Sequence, residues 1–301
     1  MTLLASWIGI DTHGPTSAYI VADSRISWEY KKYFDYGKKV FASNRFPEIF
    51  GYAGDVLFPS IALSQILEMI DSNLLFDNTA SCTEKNKIIF EKLHYAFSKY
   101  PDACGNNPIQ ILHISRDTIV NDYPAFHHYL LTWSKEKGWK QEEKNLPKQS
   151  ALLQILGSGG SEFKENYEER YQLGDNCSTS RNVFHCFIDT LNNVKDWKCG
   201  GPPQLVGIYR KPLTAAKNFG IIFNGRRYFL GTEIPKNSSF SQIEWRNEFF
   251  ELCDGDSKKC WMVQPDRLIL YAENNLATPQ VPPQNMGMRG AVVDWGYIAK
   301  L

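Results

Sequence analysis

The chain has 301 residues, of which 43% are hydrophobic and 14% aromatic; this excludes a disordered chain and suits one large or two modest globular domains. Its 33 basic and 33 acidic side chains cancel, which argues against a nucleic-acid or anionic-membrane surface over a whole face. The seven cysteines are scattered, and no Cys-x-x-Cys, zinc spacing or disulfide framework is visible, so a reducing cytoplasm is the expected setting, with no metal and no cofactor. No apolar run approaches the ~20 residues of a membrane span. The first Lys or Arg is Arg25, too late for the basic start of a signal peptide.

Leu3 to Ile10 reads as a buried strand, and Ala18 to Ala22 as its hairpin partner across a loop of turn formers, Asp11 to Pro15. Lys39 to Ala42 and Glu48 to Ala53 make a second short pair around Asn44-Arg45-Phe46-Pro47. The period then changes. Ile61, Leu63, Ile66, Leu67 and Ile70 recur at helical spacing after Pro59, and Thr83 to Tyr100 carries a second helical stripe. Strands return at Ile109 to Ile114, Phe126 to Trp133 and Leu152 to Leu156. The charged stretch SKEKGWKQEEKNLPKQS between the last two is a surface hairpin or loop. His127 and His128 are adjacent on a strand, so they face opposite ways and do not share a metal. Helices follow at Ser161 to Tyr171 and Ser178 to Val194, then strands at Leu205 to Tyr209 and Phe219 to Phe223. Beyond Gly231 the pattern is less regular: Ile243 to Cys253 suits a short helix, and Ala277 to Gly287 is a Pro-rich connection.

This order of elements predicts an α+β protein, with two helical layers around antiparallel sheets: a four-layer αββα sandwich. Residues 1–230 form that domain. Residues 231–301 form a C-terminal extension whose aromatics (Phe249, Phe250, Trp261, Tyr271, Trp295, Tyr297) require it to pack on the domain or on a neighbouring subunit.

Met1-Thr2 carries the chemical question. A threonine at a free N-terminus is nucleophile and base at once, because its own α-amine accepts the hydroxyl proton. Such a site needs a cation near the hydroxyl, a carboxylate to orient it, backbone N–H groups for the oxyanion, and polar groups around the amine. Asp23 ends one strand, Lys39 opens another, Gly54 stands where strand gives way to helix, and Ser158 lies in a Gly-Ser-Gly-Gly turn.

Six short motifs lie in order along residues 2 to 224: Thr2-Leu3-Leu4-Ala5, Val21-Ala22-Asp23-Ser24-Arg25, Gly37-Lys38-Lys39-Val40, Gly51-Tyr52-Ala53-Gly54, Leu156-Gly157-Ser158-Gly159 and Asp196-Trp197-Lys198-Cys199-Gly200-Gly201. Together they resemble proteasome β-type subunits, including the bacterial HslV-type peptidase, among N-terminal-nucleophile hydrolases. The resemblance implies a threonine peptidase that hydrolyses amide bonds through Thr2 once Met1 is removed. Lys39 lowers the nucleophile's pKa, Asp23 pairs with Lys39, Gly54 donates to the oxyanion, and Ser158 and Asp196 position the α-amine. Cys199 stands where that family usually has Ser, and Asp55 where it commonly repeats Gly. Ile26, Ser27, Gly37, Tyr52 and Val56 would line the pocket that receives the substrate side chain, which should be apolar. The resemblance further implies a cytoplasmic homo-oligomeric ring acting on peptide or protein, with any ATPase or adaptor a separate partner, since the chain has no nucleotide motif. The competing readings are a non-catalytic ring or scaffold subunit and an amidase for small molecules.

Overall fold

The computed structural model describes residues 2–101, 107–117, 124–173, 177–211 and 215–261. In chain order the strands and helices are β1 (Leu4–Asp11), β2 (Gly14–Ala22), β3 (Ile26–Ser27), β4 (Tyr33–Phe34), β5 (Val40–Ala42), β6 (Glu48–Gly54), α1 (Leu57–Asp71), α2 (Cys82–Phe97), β7 (Ile109–Arg116), β8 (Phe126–Ser134), β9 (Gly138–Lys144), β10 (Ala151–Leu156), α3 (Gly160–Asn166), α4 (Ser180–Asn193), β11 (Gln204–Tyr209), β12 (Lys217–Phe223), β13 (Arg226–Phe229), β14 (Thr232–Glu233), β15 (Trp245–Asn247), β16 (Leu252–Cys253) and β17 (Cys260–Trp261). A single π-helical turn, Tyr167–Tyr171, continues α3.

Ten strands form one sheet along the path β10-β1-β2-β11-β12-β15-β16-β17, with β13 and β14 branching from β12. Five strands form a second sheet, β5-β6-β7-β8-β9, and β3 pairs with β4 alone. Strand alternation explains how the sheets find each other. On β1, Leu4 and Ile8 face one way and meet Val40, Ile49 and Leu112 of the second sheet. Leu3, Ala5 and Trp7 face the other way, under Phe163, Phe184 and Phe187 of α3 and α4. On the second sheet, Phe50, Tyr52, Ile111 and Tyr129 pack under Phe58, Leu63, Ile66, Ile89 and Leu93 of α1 and α2. Helix α2 starts at a capping box, with Ser81 Oγ accepting from Glu84 N and the Glu84 carboxylate accepting from Ser81 N.

The expected α+β four-layer αββα sandwich is corrected. Mostly antiparallel sheet predominates, with four α-helices among the described residues. The ten-stranded sheet also runs on through β15, which pairs parallel to β12, to β16 and β17. The cluster there, around Phe240 and Trp245, contains no helical residue. The helix expected over Ile243 to Cys253 is therefore strand-turn-strand. Its turn places Phe250 at φ 62° and buries that ring against Trp7, Tyr19 and Phe184. The reason is non-local: pairing with β12 outweighs a weak helical spacing. The cysteines depart from expectation too, since Cys253 and Cys260 are joined in a disulfide across the β16–β17 turn. Residues 262–301, including Tyr271, Trp295, Tyr297 and the Pro-rich connection, lie outside the described residues. No helix is long and apolar enough to cross a membrane among the described residues.

Candidate active site

The register of the sheets brings the separated motifs together. Leu4 lies opposite Ala22 on one side and Leu156 on the other, so residues 2 and 3 meet Asp23 and Gly157 just beyond those strand ends. Ala22 also pairs with Gln204 at the start of β11. The ends of β2 and β10 and the starts of β1 and β11 thus converge. Lys39, just before β5, reaches the same place from the second sheet, where its amide donates to Gln204 Oε1 at 3.0 Å.

Asp23 is the hub. Its Oδ1 accepts from Lys39 Nζ at 2.6 Å and from Leu3 N at 3.0 Å. Its Oδ2 accepts from Gly200 N at 2.9 Å and Arg25 N at 3.3 Å. The side chains of Asp23 and Lys39 are both fully buried. Four donors on one carboxylate satisfy the charge that burial would otherwise make costly. Because the same oxygen holds the Leu3 amide and the ammonium, Lys39 is tied to the peptide that follows Thr2. Thr2 itself is 1% exposed, and its carbonyl accepts from Gly159 N at 3.2 Å.

The Gly-Ser-Gly-Gly turn is required sterically. Gly157 has φ 89°, and a Cβ there would stand 2.0 Å from the Thr2 carbonyl oxygen. Gly157→Ala is expected to destabilise the protein by at least about 1–3 kcal/mol, through strain and a backbone clash. An unchanged midpoint in urea would show that the Thr2 carbonyl is not held against this turn.

The next turn supplies the remaining polar groups. Ser158 Oγ lies 3.8 Å from Cys199 Sγ, and Cys199 Sγ lies 3.8 Å from Asp196 Oδ2. Burial acts to raise the Asp196 carboxyl, but hydrogen bonds from Ser158 and Lys198 N and nearby positive charge hold it below its ordinary value. Burial beside the Asp23 charge pushes the Cys199 thiol up to about 11. A thiol held in its neutral form is a weak hydrogen-bond partner.

Gly54 ends β6 with φ 92°, and a Cβ there would lie 2.0 Å from Pro108 O. Asp55, beside it, turns away: its Oδ1 accepts from Phe58 N at 3.0 Å and caps the first turn of α1. Of the residues expected to line a substrate pocket, Ile26 and Val56 are half-buried, and Ser27, Gly37 and Tyr52 are buried. The Tyr52 hydroxyl donates to Lys38 O at 3.1 Å, and burial raises its pKa. The cavity of about 480 Å³ that borders the site is instead lined by Arg25, Asp35, Tyr36, Gly200, Arg226 and Glu233 among others. Its wall is polar and its charges are paired, Arg25 with Asp35 at 2.6 Å and Arg226 with Glu233 at 3.2 Å.

Gln204 escaped sequence reading. Fully buried, it accepts from Lys39 N and donates through Nε2 to Gly37 O (2.7 Å), Ser24 Oγ (2.9 Å) and Asp23 O (3.2 Å). It fixes the spacing of the strands that carry Asp23 and Lys39. The one available signal is a polar residue opening a strand of otherwise apolar residues.

No family model and no curated protein matches the chain. Among solved structures it is similar to an Anbu (ancestral beta-subunit) protein from Yersinia bercovieri, at 9% identity and TM-score 0.50, covering 76% of this chain and 87% of that one. It is also similar to Anbu from Pseudomonas aeruginosa, solved as a helical assembly (12% identity, TM-score 0.49, 78% and 88% covered), and to an Anbu Gly-1 mutant from Hyphomicrobium sp. strain MC1 (14%, 0.46, 72% and 86%). At these identities the likeness is one of fold, and it corrects the resemblance to proteasome β-subunits and the HslV-type peptidase: the structural neighbours are Anbu proteins, proteasome-like but a distinct family.

Proposed function

We propose that this chain is an amide hydrolase whose nucleophile is Thr2, exposed by removal of Met1, and that it works in a proteasome-like homo-oligomer. The observation that carries the reading is the buried Lys39–Asp23 pair, at 2.6 Å, bonded through the same carboxylate oxygen to the Leu3 amide. In this reading Lys39 favours the alkoxide, Asp23 orients Lys39, and Ser158 and Asp196 hold the freed α-amine, which accepts the hydroxyl proton and then activates water. Gly54 N–H meets the oxyanion. Substrates are amides of peptides or small molecules, and any ATPase or adaptor is a separate protein. The oligomer is supported by the hairpin of residues 26–36, where Trp28, Tyr30, Tyr33, Phe34 and Tyr36 are all exposed.

A second reading, an assembly subunit without turnover, is favoured by two observations. Thr2 is almost wholly enclosed, and a buried thiol with 3.8 Å contacts stands at Cys199. It also agrees with the fold-level likeness to Anbu proteins. Intact mass and an epoxyketone or peptide vinyl sulfone probe decide between the two. The hydrolase reading expects a mass lacking Met1 and probe attached to Thr2. A purified oligomer that retains Met1 and takes no label leaves the assembly reading.

A further inference from the structure

The start of α2 and the β7–β8 end gather three chemically different metal-ligating groups, away from the candidate active site. Cys82 is the first residue of α2, and its amide donates to Asp117 Oδ1 at 2.7 Å. Asp117 follows β7, and its own amide donates to Ala125 O at 2.9 Å. His127 is the second residue of β8 and lies opposite Ser115. Alternation sends its neighbour His128 to the other face, where Nε2 meets Ser6 Oγ at 2.8 Å between the sheets. His127 is left facing Cys82 and Asp117. One sulfur, one ring nitrogen and one carboxylate oxygen then lie within 4.8 Å of one another.

We propose that Cys82, Asp117 and His127 bind one divalent zinc-class ion, which fastens the N-terminus of α2 to the β7–β8 end. Three observations support it beyond the cluster. His127 stands between two carboxylates, with Nε2 3.1 Å from Asp117 Oδ2 and Nδ1 2.7 Å from Glu143 Oε1. Two carboxylates on either side of the ring draw positive charge to both nitrogens, and either a second proton or a bound ion supplies it. An ion in place of the proton between Nε2 and Asp117 leaves Nδ1–H for Glu143, the outer carboxylate that metal-bound histidines ordinarily have.

The sulfur is also provided for. Cys82 Sγ lies 2.9 Å from Ser115 Oγ, whose hydroxyl donates to Glu48 Oε1 at 2.8 Å. When a thiolate forms, that hydroxyl can turn to the sulfur. Glu48 retains Lys85 Nζ at 3.1 Å and His113 Nε2 at 2.7 Å. Binding forms a metal–sulfur bond and releases the thiol proton to solvent, with no change of oxidation state. Finally, the His127 and Asp117 side chains are 22% and 21% exposed, so an ion and a water as fourth ligand have access.

The ligand set selects the metal. Calcium and magnesium take oxygen, whereas mixed sulfur, nitrogen and oxygen at four positions suit Zn²⁺. Zinc–ligand bonds of about 2.0–2.3 Å place ligands about 3.3–3.8 Å apart in a tetrahedron. The groups must therefore close by roughly 1 Å, which side-chain torsions supply. The site lies at the end of β7 opposite Ile109, the partner of Gly54, so the ion would act on stability and not on turnover.

The test is titration of the chelator-stripped full chain with Co²⁺ and then Zn²⁺. The expected result is one Co²⁺ per chain, with a thiolate-to-cobalt charge-transfer band and intense tetrahedral visible bands, all displaced by Zn²⁺. Cys82→Ser should lose the charge-transfer band, and Glu143→Gln should weaken affinity about 10–100-fold. Zn²⁺ should raise the melting temperature of the wild type and not that of Cys82→Ser. If Cys82→Ser does not fold, His127→Gln, at a part-exposed position, must show the loss of tetrahedral bands. Absence of a sulfur band in the wild type, or its persistence in Cys82→Ser through another thiol, overturns the proposal. So does unchanged binding in His127→Gln.

Discussion

Thr2→Ala is expected to abolish amide turnover, by a factor on the order of 10⁶ if the proposed mechanism operates, because nucleophile and catalysis are lost together. The fold should remain. One link that places residue 2 is its carbonyl, bonded to Gly159 N, and this survives the change. Replacing a buried threonine side chain with a methyl costs on the order of 1 kcal/mol. Fluorogenic amide hydrolysis and a thermal melt, run on the same preparation, read both quantities. Near-normal turnover by Thr2→Ala would remove the hydrolase reading altogether. Loss of turnover with collapse of the melt would show only that Thr2 is needed for folding, and Thr2→Ser, which keeps the hydroxyl, would then have to restore activity.

The parts of this site that were legible in the sequence are those fixed by local chemistry. A strand of alternating apolar residues ending in Ala-Asp-Ser-Arg gives Asp23 its place. Lys39 follows from a short strand that begins with it, and Gly157 and Ser158 from a glycine turn between strand and helix. Each position depends on a few neighbours in the chain. What was not legible depends on distant pairing. Gln204 bridges residues 165 to 181 positions away, and its sole local mark is a polar side chain opening an apolar strand. β9 is a charged edge strand with Trp139 its lone large apolar residue, so no alternation distinguishes it from a loop. β15 pairs parallel to β12, and Phe250 turns back onto Trp7 across more than 240 residues, which local spacing cannot report. Asp55 is the instructive middle case. Its position beside Gly54 suggests a carboxylate opposed to an oxyanion, yet the adjacent free N–H groups of α1 capture it.

The Lys39–Asp23 pair permits a sharper test, because its structural and chemical roles can be separated. Lys39→Ala removes one partner and leaves Asp23 a buried carboxylate with only amide donors, at Leu3, Arg25 and Gly200. Breaking a fully buried pair in this way costs about 3–5 kcal/mol, and turnover should fall with it. On its own this result is ambiguous, since a destabilised protein loses activity for many reasons. The double variant Asp23→Asn, Lys39→Met removes both charges and keeps both volumes. Removing both charges avoids an unpaired buried ion, so part of the lost stability should return. The Asn oxygen can still accept from Leu3 N and keep residue 2 in position, while its NH2 group faces the Gly200 and Arg25 amides and limits the recovery. Turnover should not return, because no cation remains to favour the alkoxide. Denaturant melts give the stability term, and hydrolysis rates on folded protein give the chemical one. A double variant that is both stable and active would reduce Lys39 and Asp23 to a structural ion pair, and the reading of Thr2 as a nucleophile would lose the observation that carries it.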